Sequence, residues 1–367
     1  MKEDYKNMKH SYYSLTQILK KKALYNIIIG QRSNGKTFSV ISLMIKTFIK
    51  EGVPSAYIRR LDSELIPAEL FRLLSPHIED IKKLSKGKYN DYIYKSRIFY
   101  LIYRNENGDV EYMSEPCIYC FALSMSHKSK GADRGEVAYT LFDEFLTRKF
   151  YLNNEFIIYT ELLSTIIRNR NDVINFLVGN TVNKYCPYFD EMGLNHITEQ
   201  KQGTIDVYTY SNSDLTVAVE YCAENEVSKN TIKYFGFDNP QLNMITRGQW
   251  ELASYPHCID RVTPNDIIIK CYIIFNHETL AVNVVHTSTI YLLITPQTHT
   301  IPDKHIIYTD TASNNPYIIN DISRDTLKVS KLIYQLIQQN RVFFSDNNTG
   351  ETFNNWIKYS RKKIWRD

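Results

Sequence analysis

The stretch from Asn26 to Val40, NIIIGQRSNGKTFSV, decides the fold that the sequence predicts. Tyr25 to Ile29 is an apolar, β-branched run, which is typical of a buried strand. The pattern G-x-x-x-x-G-K-[ST] is then met in full by Gly30, Gln31, Arg32, Ser33, Asn34, Gly35, Lys36 and Thr37. Apolar residues at helical spacing follow from Phe38 to Glu51. A strand, a glycine loop and a helix in this order predict a phosphate-binding loop at a helix N-terminus.

The residue types in this loop suit the binding of phosphate groups. Gly30 and Gly35 let the backbone curl so that its N–H groups point at phosphates. Lys36 would reach the β- and γ-phosphates of a nucleotide, and the Thr37 hydroxyl would ligate Mg²⁺. The alternative is a chance pattern in a glycine-containing turn, which the flanking strand and helix disfavour. Kinases, GTPases, helicases and motors all use such loops, so the class depends on the residues that follow.

Composition sets broad limits on the protein. Its 367 residues suggest two domains, and 43% hydrophobic residues are ample for their cores. The net charge of +4 permits a nucleic-acid partner without requiring one. Cys117 and Cys120 have no second pair at zinc spacing, which favours reduced thiols of a cytosolic protein. The polar N-terminus is unlike a signal peptide, and no apolar run is long enough to span a bilayer, so we expect no membrane partner.

A second apolar strand, Val137 to Phe142, is followed directly by Asp143 and Glu144. Beside a phosphate-binding loop, Asp143 would hold Mg²⁺, directly or through water. Glu144 would act as the general base that polarises the attacking water. An acidic strand end without a function is the alternative, which the presence of the loop disfavours.

Two more predicted strands, PSAYIRR and VINFLVGN, also end in polar residues, Arg59 and Asn180. Asn180 could bond the attacking water or the γ-phosphate, or it could simply belong to a turn. Gly30, Arg59, Asp143 and Asn180 thus all stand at the ends of predicted parallel strands. Because ligands of open α/β sheets bind outside the carboxyl ends of the strands, we expect these residues at one edge of the sheet.

Between these strands, FIIYTELLSTIIRNRNDV predicts an amphipathic helix with Arg168 and Arg170 at its C-terminal end. Two residues apart, these arginines cannot share a helix face, so at most one of them enters a given site if the helix runs that far. The alternative is that they are basic residues that favour a helix C-terminus.

The acidic pair narrows the class of nucleotide-binding protein. Signalling GTPases orient water with a glutamine elsewhere and read guanine with Asn-Lys-x-Asp, which the sequence lacks. Small-molecule kinases need no water-activating glutamate. The additional-strand ATPases with a catalytic glutamate remain, and most of them are ring motors that receive an arginine from the neighbouring subunit. ATP and Mg²⁺ are therefore the expected ligands, and Arg168 or Arg170 is the candidate arginine.

A family resemblance is carried by the ordered segments IIIGQRSNGKTFSV, AYIRRLDSEL, TLFDEFLTRKF, IIRNRNDV and FLVGNTVNKYCPYFDEMGL. Together they resemble the genome-packaging ATPases of small tailed phages, the phi-twenty-nine-like encapsidation proteins, over roughly the first half of the chain. The resemblance implies that Lys36 and Thr37 bind ATP and Mg²⁺, that Asp143 is the Walker B aspartate, and that Glu144 is the catalytic base. It assigns the trans-acting arginine finger to Arg168, with Arg170 as the second candidate.

The same resemblance implies partners and a place of action. It implies a pentameric ring at the portal vertex of an empty procapsid, with a structural packaging RNA as scaffold and double-stranded DNA in the pore. Lys128, in SHKSKG, falls where the family has a lysine loop that faces a neighbouring subunit or DNA. The protein would work in the host cytoplasm, bind the portal protein transiently and be absent from the mature virion.

The domain organisation follows from the element pattern. We expect a P-loop ATPase domain over residues 1–200, in which residues 61–136 form an insertion with a β-hairpin turn near Gly108. A helical connector is expected over residues 201–255. Strand-like runs followed by a helix predict a smaller α+β nucleic-acid-binding domain over residues 256–367.

For this last domain the resemblance implies a degenerate, RNase H-like nuclease fold. Two-metal nucleases need clustered carboxylates, but its first strands carry no central Asp or Glu, and Asp310 and Asp321 lie at strand ends. We therefore expect nucleic-acid binding rather than cleavage. The tail WIKYSRKKIWRD would contact phosphates or would be a frayed basic end. Its basic residues are Lys358, Arg361, Lys362, Lys363 and Arg366.

The sequence thus predicts a ring motor that uses ATP to translocate double-stranded viral DNA into a preformed procapsid. Two alternatives stay open. One is an active terminase that also cuts DNA. The other is an assembly or scaffold protein that uses ATP as a switch and translocates nothing.

Overall fold

The computed structural model divides the chain into two compact units, residues 1–251 and 252–367. It describes residues 13–129, 136–147, 151–152, 154–182, 186–197, 199–211, 213–223, 250, 255–258, 261–275, 278–309, 313–320, 322 and 325–362. Side chains are described throughout these ranges except at 69, 127–129 and 359–362.

The first unit is built on one mixed sheet. Its strands are β1 (Tyr25–Gly30), β2 (Ser55–Arg59), β3 (Asp91–Lys95), β4 (Ile98–Arg104), β5 (Val110–Ala122), β6 (Tyr139–Asp143), β7 (Ile174–Asn180), β8 (Thr204–Thr209) and β9 (Thr216–Tyr221). They lie in the order β3-β4-β5-β2-β6-β7-β1-β9-β8. The six strands β5-β2-β6-β7-β1-β9, in their order across the sheet, all pair in parallel. The strands β3 and β4 at one end and β8 at the other pair antiparallel.

Helices cover both faces of this sheet. They are α1 (Thr16–Leu19), α2 (Lys36–Glu51), α3 (Pro67–Leu70), α4 (Ile78–Leu84), α5 (Glu155–Ile167) and α6 (Pro187–Glu191). Short 3₁₀ segments are Asp62–Leu65, Phe71–Leu73, Ser75–His77 and Leu123–Ser129. Ile27 and Ile29 of β1 pack with α5 and α6, while Ile28 packs with α2 in a second core cluster. Because the central strands are buried on both faces, they are mostly apolar, as the sequence predicts for an α/β sheet.

The segment expected as an insertion, residues 61–136, is part of this sheet. The expected hairpin is present, and the Gly108 N–H closes its turn onto the Asn105 carbonyl at 3.0 Å. The second half of β5, however, pairs in parallel with β2. The segment therefore extends the central sheet instead of standing apart from it.

The expectation of a helical connector over residues 201–255 is wrong for its described first part. Residues 204–221 contain β8 and β9, and β9 pairs in parallel with β1, the strand that leads into the glycine loop. The mixed polar and apolar residues of β8 reflect its place as a half-exposed strand at the edge of the sheet, whereas its neighbour β9 is mostly buried.

The second unit has its own mixed sheet. Its strands are β10 (Ile267–Phe275), β11 (Glu278–His286), β12 (Ile290–Pro296), β13 (Ile307–Thr309), β14 (Ile318–Ile319) and β15 (Val342–Phe344), and its helices are α7 (Lys328–Gln338) and α8 (Asn347–Lys362). A 3₁₀ turn, Pro264–Asp266, precedes β10. The strand order is β14-β13-β10-β11-β12-β15. Only β11 among these runs against its neighbours, and β13, β14 and β15 each pair in parallel.

The strand-like runs and the helix expected in this unit correspond to β10–β13 and α7. The two short strands β14 and β15 and the last helix, α8, were not predicted. Asp310 and Asp321, the acids weighed for cleavage, lie outside the described residues. In the part of the chain that the structure describes, three or more His, Cys, Asp or Glu side chains never group in a way that could hold a metal ion. Among the same residues, no helix has the length and apolar character to cross a bilayer.

Candidate nucleotide site

Four neighbouring parallel strands bring their last residues to one edge of the first sheet. Gly30, Arg59, Asp143 and Asn180 end β1, β2, β6 and β7, which lie side by side in the order β2-β6-β7-β1. The predicted shared edge is therefore confirmed. A cavity of about 230 Å³ opens there. Its lining consists of residues 33–38, Asp143, Glu144 and residues 178–180.

The glycine loop has the backbone that its pattern predicts. Gly35 has a φ of 91°, a left-handed value that favours glycine, and it caps the N-terminus of α2, which begins at Lys36. At Gly30, an added Cβ would lie 2.9 Å from the Cβ of Cys222, just past the end of β9. Only glycine allows this close approach. The loop thus places the N-terminus of a 16-residue helix at the cavity.

Lys36 is buried among oxygen acceptors. Its Nζ donates to the Gln31 carbonyl at 2.6 Å, to Asn34 Oδ1 at 3.1 Å and to Asn180 Oδ1 at 3.5 Å. Burial lowers the pKa of Lys36 to about 8, although the charges of Cys222 and Asp143 act in the opposite direction. The ammonium group is held by neutral acceptors of the loop and of β7, at the end of the helix where anions are favoured.

Asp143 is a buried carboxylate with hydrogen bonds to both oxygens. Thr37 Oγ1 donates to its Oδ1 at 2.8 Å, and the Tyr57 hydroxyl donates to its Oδ2 at 2.9 Å. Burial raises the pKa of Asp143, and the Arg59 charge together with these two hydrogen bonds partly opposes that rise. The adjacent hydroxyl and carboxylate are hard oxygen donors of the kind that Mg²⁺ prefers, so the residues present fit this ion. Tyr57 was not predicted, although its place two residues before Arg59 in an alternating strand puts both side chains on the same face.

Glu144 follows β6 directly and turns its carboxylate outwards. Its φ of 58° is left-handed, which is uncommon for a residue with a side chain, and its side chain is 56% exposed. Arg59 Nη2 lies 2.7 Å from Glu144 Oε2 and 2.9 Å from Glu64 Oε1, and its Nη1 lies 3.5 Å from Asp143 Oδ2. Burial alone would lower the pKa of Arg59, but the neighbouring Tyr57, Asp143 and Glu144 raise it overall. Arg59 therefore joins both acids of the cavity through one guanidinium.

The two candidate arginines lie beyond the last turn of α5. The sequence predicted both arginines at the C-terminal end of this helix. The helix ends at Ile167, so Arg168 is its C-cap residue and Arg170 lies beyond it. Arg168 has an exposed side chain and a φ of 55°. Arg170 is held by its own chain, through a bidentate contact to Asp172 at 3.0 and 2.9 Å and a 2.7 Å hydrogen bond to the Val137 carbonyl. Neither arginine is among the residues that line the cavity.

The remaining predicted residues fall in different places. The Arg32 side chain is exposed on the loop, whereas Gln31 is buried beneath it. Lys128 lies in the 3₁₀ segment Leu123–Ser129 and Lys362 is the last residue of α8, but both side chains lie outside the described part. Lys363 and Arg366 lie outside the described residues altogether.

Comparisons with known proteins confirm the family that the sequence resembles. The family model for the Podovirus DNA encapsidation protein (Gp16) matches residues 8–352. The DNA packaging protein of Bacillus phage phi29 is 27% identical over 184 residues, which are 49% of this chain and 50% of that protein. The chain thus spans about half the length of the curated relatives it matches.

Two solved structures have a similar fold. The bacteriophage Phi-29 viral genome packaging motor assembly aligns with a TM-score of 0.55 and 21% identity, over 97% of this chain and 99% of that one. The Phi-28 gp11 DNA packaging motor aligns with a TM-score of 0.55 and 19% identity, over 98% and 100%. At these identities the likeness concerns the fold alone. The family match, in contrast, covers both units of the chain, so this protein belongs to the Podovirus DNA encapsidation protein (Gp16) family.

Proposed function

We propose that this protein is an ATPase that translocates double-stranded viral DNA into a procapsid as a subunit of a ring. One observation carries the proposal. The glycine loop with Lys36 and Thr37, the acids Asp143 and Glu144, and Asn180 all line one cavity at the carboxyl edge of a parallel sheet. This is the arrangement that binding and hydrolysis of a nucleoside triphosphate require.

Each residue has a role that its contacts support. The N–H groups at the start of α2 and the Lys36 ammonium would bind the phosphates. Thr37 and Asp143 would hold Mg²⁺, which when bound neutralises charge on the phosphates. Glu144, whose carboxylate is exposed at the cavity, would take a proton from the attacking water. Asn180, 3.5 Å from Lys36 Nζ, would orient that water or the γ-phosphate.

We assign the arginine finger to Arg168. A finger that acts on a neighbouring subunit must be able to reach outside its own chain, and Arg168 is exposed just past the end of α5. Arg170, the second candidate that the resemblance gives, is less exposed than Arg168, and its guanidinium bonds Asp172 and the Val137 carbonyl. A finger in trans requires a neighbouring chain, and we propose that a pentameric ring, as the resemblance implies, supplies it.

The partners follow from the family. Relatives are named DNA packaging proteins, and we propose that this chain likewise acts at the procapsid portal in the host cytoplasm, with a packaging RNA and the portal protein as partners. Lys128 would face the neighbouring subunit or DNA. The mixed sheet of the second unit is compatible with a degenerate RNase H-like fold, for which we propose nucleic-acid binding by residues such as Lys362, without cleavage.

Steady-state ATP hydrolysis tests the proposal. The rate per subunit should rise with protein concentration and with added double-stranded DNA, and Glu144→Gln should lower it by about 10²-fold or more. Small amounts of Arg168→Ala mixed into wild type should lower the rate more than in proportion. Arg170→Ala, the matched control, should lower it only in proportion to the amount added.

Opposite results would point to other functions. Hydrolysis that persists in Glu144→Gln would remove the proposed base. A rate that ignores concentration and DNA would favour the ATP-switched assembly protein. Nicking of plasmid DNA with Mn²⁺ would favour an active terminase.

A further inference from the structure

A second arginine, Arg60, follows Arg59 in the chain and contacts the backbone carbonyl of Glu144. Arg59 is the last residue of β2 and Arg60 follows it, and the two guanidinium groups bind different partners. Arg59 meets the Glu144 carboxylate at the cavity. The Arg60 side chain is 7% exposed and contacts the backbone of Glu144.

The Arg60 guanidinium spans two backbone carbonyls and one carboxylate. Its Nη1 donates to the Glu144 carbonyl at 3.2 Å, and its Nη2 donates to the Phe145 carbonyl at 2.5 Å. Its Nε donates to Glu155 at 3.1 and 2.9 Å. The rings of Phe142 and Tyr151 lie 5.6 and 5.0 Å from the guanidinium carbon. A planar fork of donors is needed for all of these contacts at once, and only arginine has one.

Glu155 completes a buried ion pair. It is the first residue of α5 and is 1% exposed. Besides Arg60, it accepts hydrogen bonds from the Tyr188 hydroxyl at 3.1 Å and from the Leu152 N–H at 2.6 Å. A buried pair with its hydrogen bonds satisfied has little freedom to move, because any shift would strand a charge away from water.

The turn held by this pair decides where the Glu144 carboxylate points. Glu144 has a left-handed backbone that its surroundings must impose, because a residue with a side chain rarely adopts it alone. The Phe145 N–H bonds the Val178 carbonyl at 3.3 Å, which attaches the turn to β7. Arg60 fixes the two carbonyls on the other side of the same turn.

We propose that Arg60 and Glu155 are positioning residues that aim Glu144 at the attacking water. The inference rests on the proposed function, in which Glu144 is the general base. The same ion pair anchors the first residue of α5, and that helix ends one residue before Arg168. The turn that carries the base and the helix that leads to the proposed finger therefore share one anchor.

The test removes both charges together. Arg60→Met alone would leave the Glu155 charge buried and could unfold the protein, whereas Arg60→Met with Glu155→Gln replaces the pair by uncharged groups of similar size. We expect this double variant to fold and to bind a fluorescent ATP analogue within about threefold of wild type, with KM similarly unchanged. Its kcat should fall by at least about tenfold, because displacement of a catalytic group by about 1 Å is costly.

A matched control lies on the same sheet, away from the cavity. Arg104 of β4 and Asp91 of β3 form an ion pair at 2.7 Å. Arg104→Met with Asp91→Asn should leave kcat unchanged. A folded Arg60→Lys variant keeps the charge without the planar fork and should also lose kcat, so it decides the question if the double variant does not fold.

A double-mutant cycle separates positioning from general damage. If Arg60 and Glu155 act through Glu144, their replacement should cause no further loss in a Glu144→Gln background. An equal fold loss in that background, or a folded variant with kcat within about twofold of wild type, would overturn the inference. Glu144→Gln alone reports on the proposed function: if that variant hydrolyses ATP normally, the proposed function fails and the positioning role fails with it. If it is inactive while the Arg60 variants are active, only the positioning role fails.

Discussion

Replacement of Arg59 by methionine should move the acidic limb of the pH profile of kcat/KM to higher pH. The limb reports ionisation of Asp143, which must be a carboxylate to hold Mg²⁺. Burial raises the pKa of this acid, and the Arg59 charge opposes the rise. Without the arginine, Asp143 should keep its proton to a higher pH, and activity should be lost earlier as the pH falls.

The structure sets the size of the shift. At the 3.5 Å between Arg59 Nη1 and Asp143 Oδ2, Coulomb's law with an effective dielectric constant of about 20 gives about 5 kcal/mol. The two side chains are 14% and 11% exposed, so solvent screens this pair little. Arg59 also serves Glu64 and Glu144, and water would enter the space it leaves. We therefore expect a shift of about 1–2 pH units, within the range known for acids next to one opposite charge.

The assay is kcat/KM for ATP with excess Mg²⁺ between about pH 5 and pH 9, with circular dichroism at each pH to confirm folding. Arg104→Met, which breaks an ion pair elsewhere on the sheet, should leave the limb in place. The electrostatic argument would be refuted if the limb of Arg59→Met stayed within about 0.3 unit of wild type, or moved to lower pH.

Three other predictions concern single side chains. Because burial lowers the pKa of Lys36 to about 8, kcat/KM should fall above that pH. Lys36→Arg stays charged and should lose this alkaline limb of the pH profile, and a limb that persists in the variant would exclude Lys36 as its source. Thr37→Ser keeps a hydroxyl for Asp143 and should need a normal Mg²⁺ concentration, whereas Thr37→Ala should need about tenfold more; equal Mg²⁺ titrations would show that this hydroxyl is not a ligand. Gly350→Ala in α8 should destabilise the protein by about 1–3 kcal/mol in denaturant unfolding, although alanine usually stabilises a helix, because the added Cβ would lie 2.3 Å from the Tyr255 ring. An unchanged or higher unfolding midpoint would contradict this packing argument.

The sequence predicted the residues whose position follows from local pattern. Gly30, Lys36, Asp143 and Asn180 each belong to a motif or stand at the end of an apolar run. Parallel strands place such ends at one edge of the sheet whatever the strand order. Arg60 and Glu155 carry no local signal, and the only one for Tyr57 is its place two residues before Arg59 on β2. Their contacts depend on β2 lying beside β6 and on α5 beginning against the turn after β6, and neither of these pairings can be derived from one sequence.

The same reasoning explains the misread connector. The strand β8 contains only half-buried and exposed residues, and it lacks the continuous apolar run that marks the central strands. The mostly buried strand β9 has such a run only from Val217 to Val219, and a polar Glu220 interrupts it. Glu220 is hydrogen-bonded by the Tyr13 hydroxyl at 2.6 Å, a partner 207 residues earlier in the chain. A long-range contact therefore accommodates a carboxyl group within a mostly buried strand.

Arg59 and Arg60 hold Glu144 from its two ends, one at the carboxylate and one at the carbonyl, and this makes their effects separable. Arg59 is paired with Asp143 and opposes the rise in its pKa, whereas Arg60 contacts Glu155 and the carbonyls of Glu144 and Phe145. Loss of Arg59 should therefore displace the pH profile, while loss of the Arg60–Glu155 pair should lower kcat without displacing it. If both replacements displaced the limb by the same amount, the two arginines would act through one general change in the cavity, and the distinction between charge and position drawn from their contacts would be wrong.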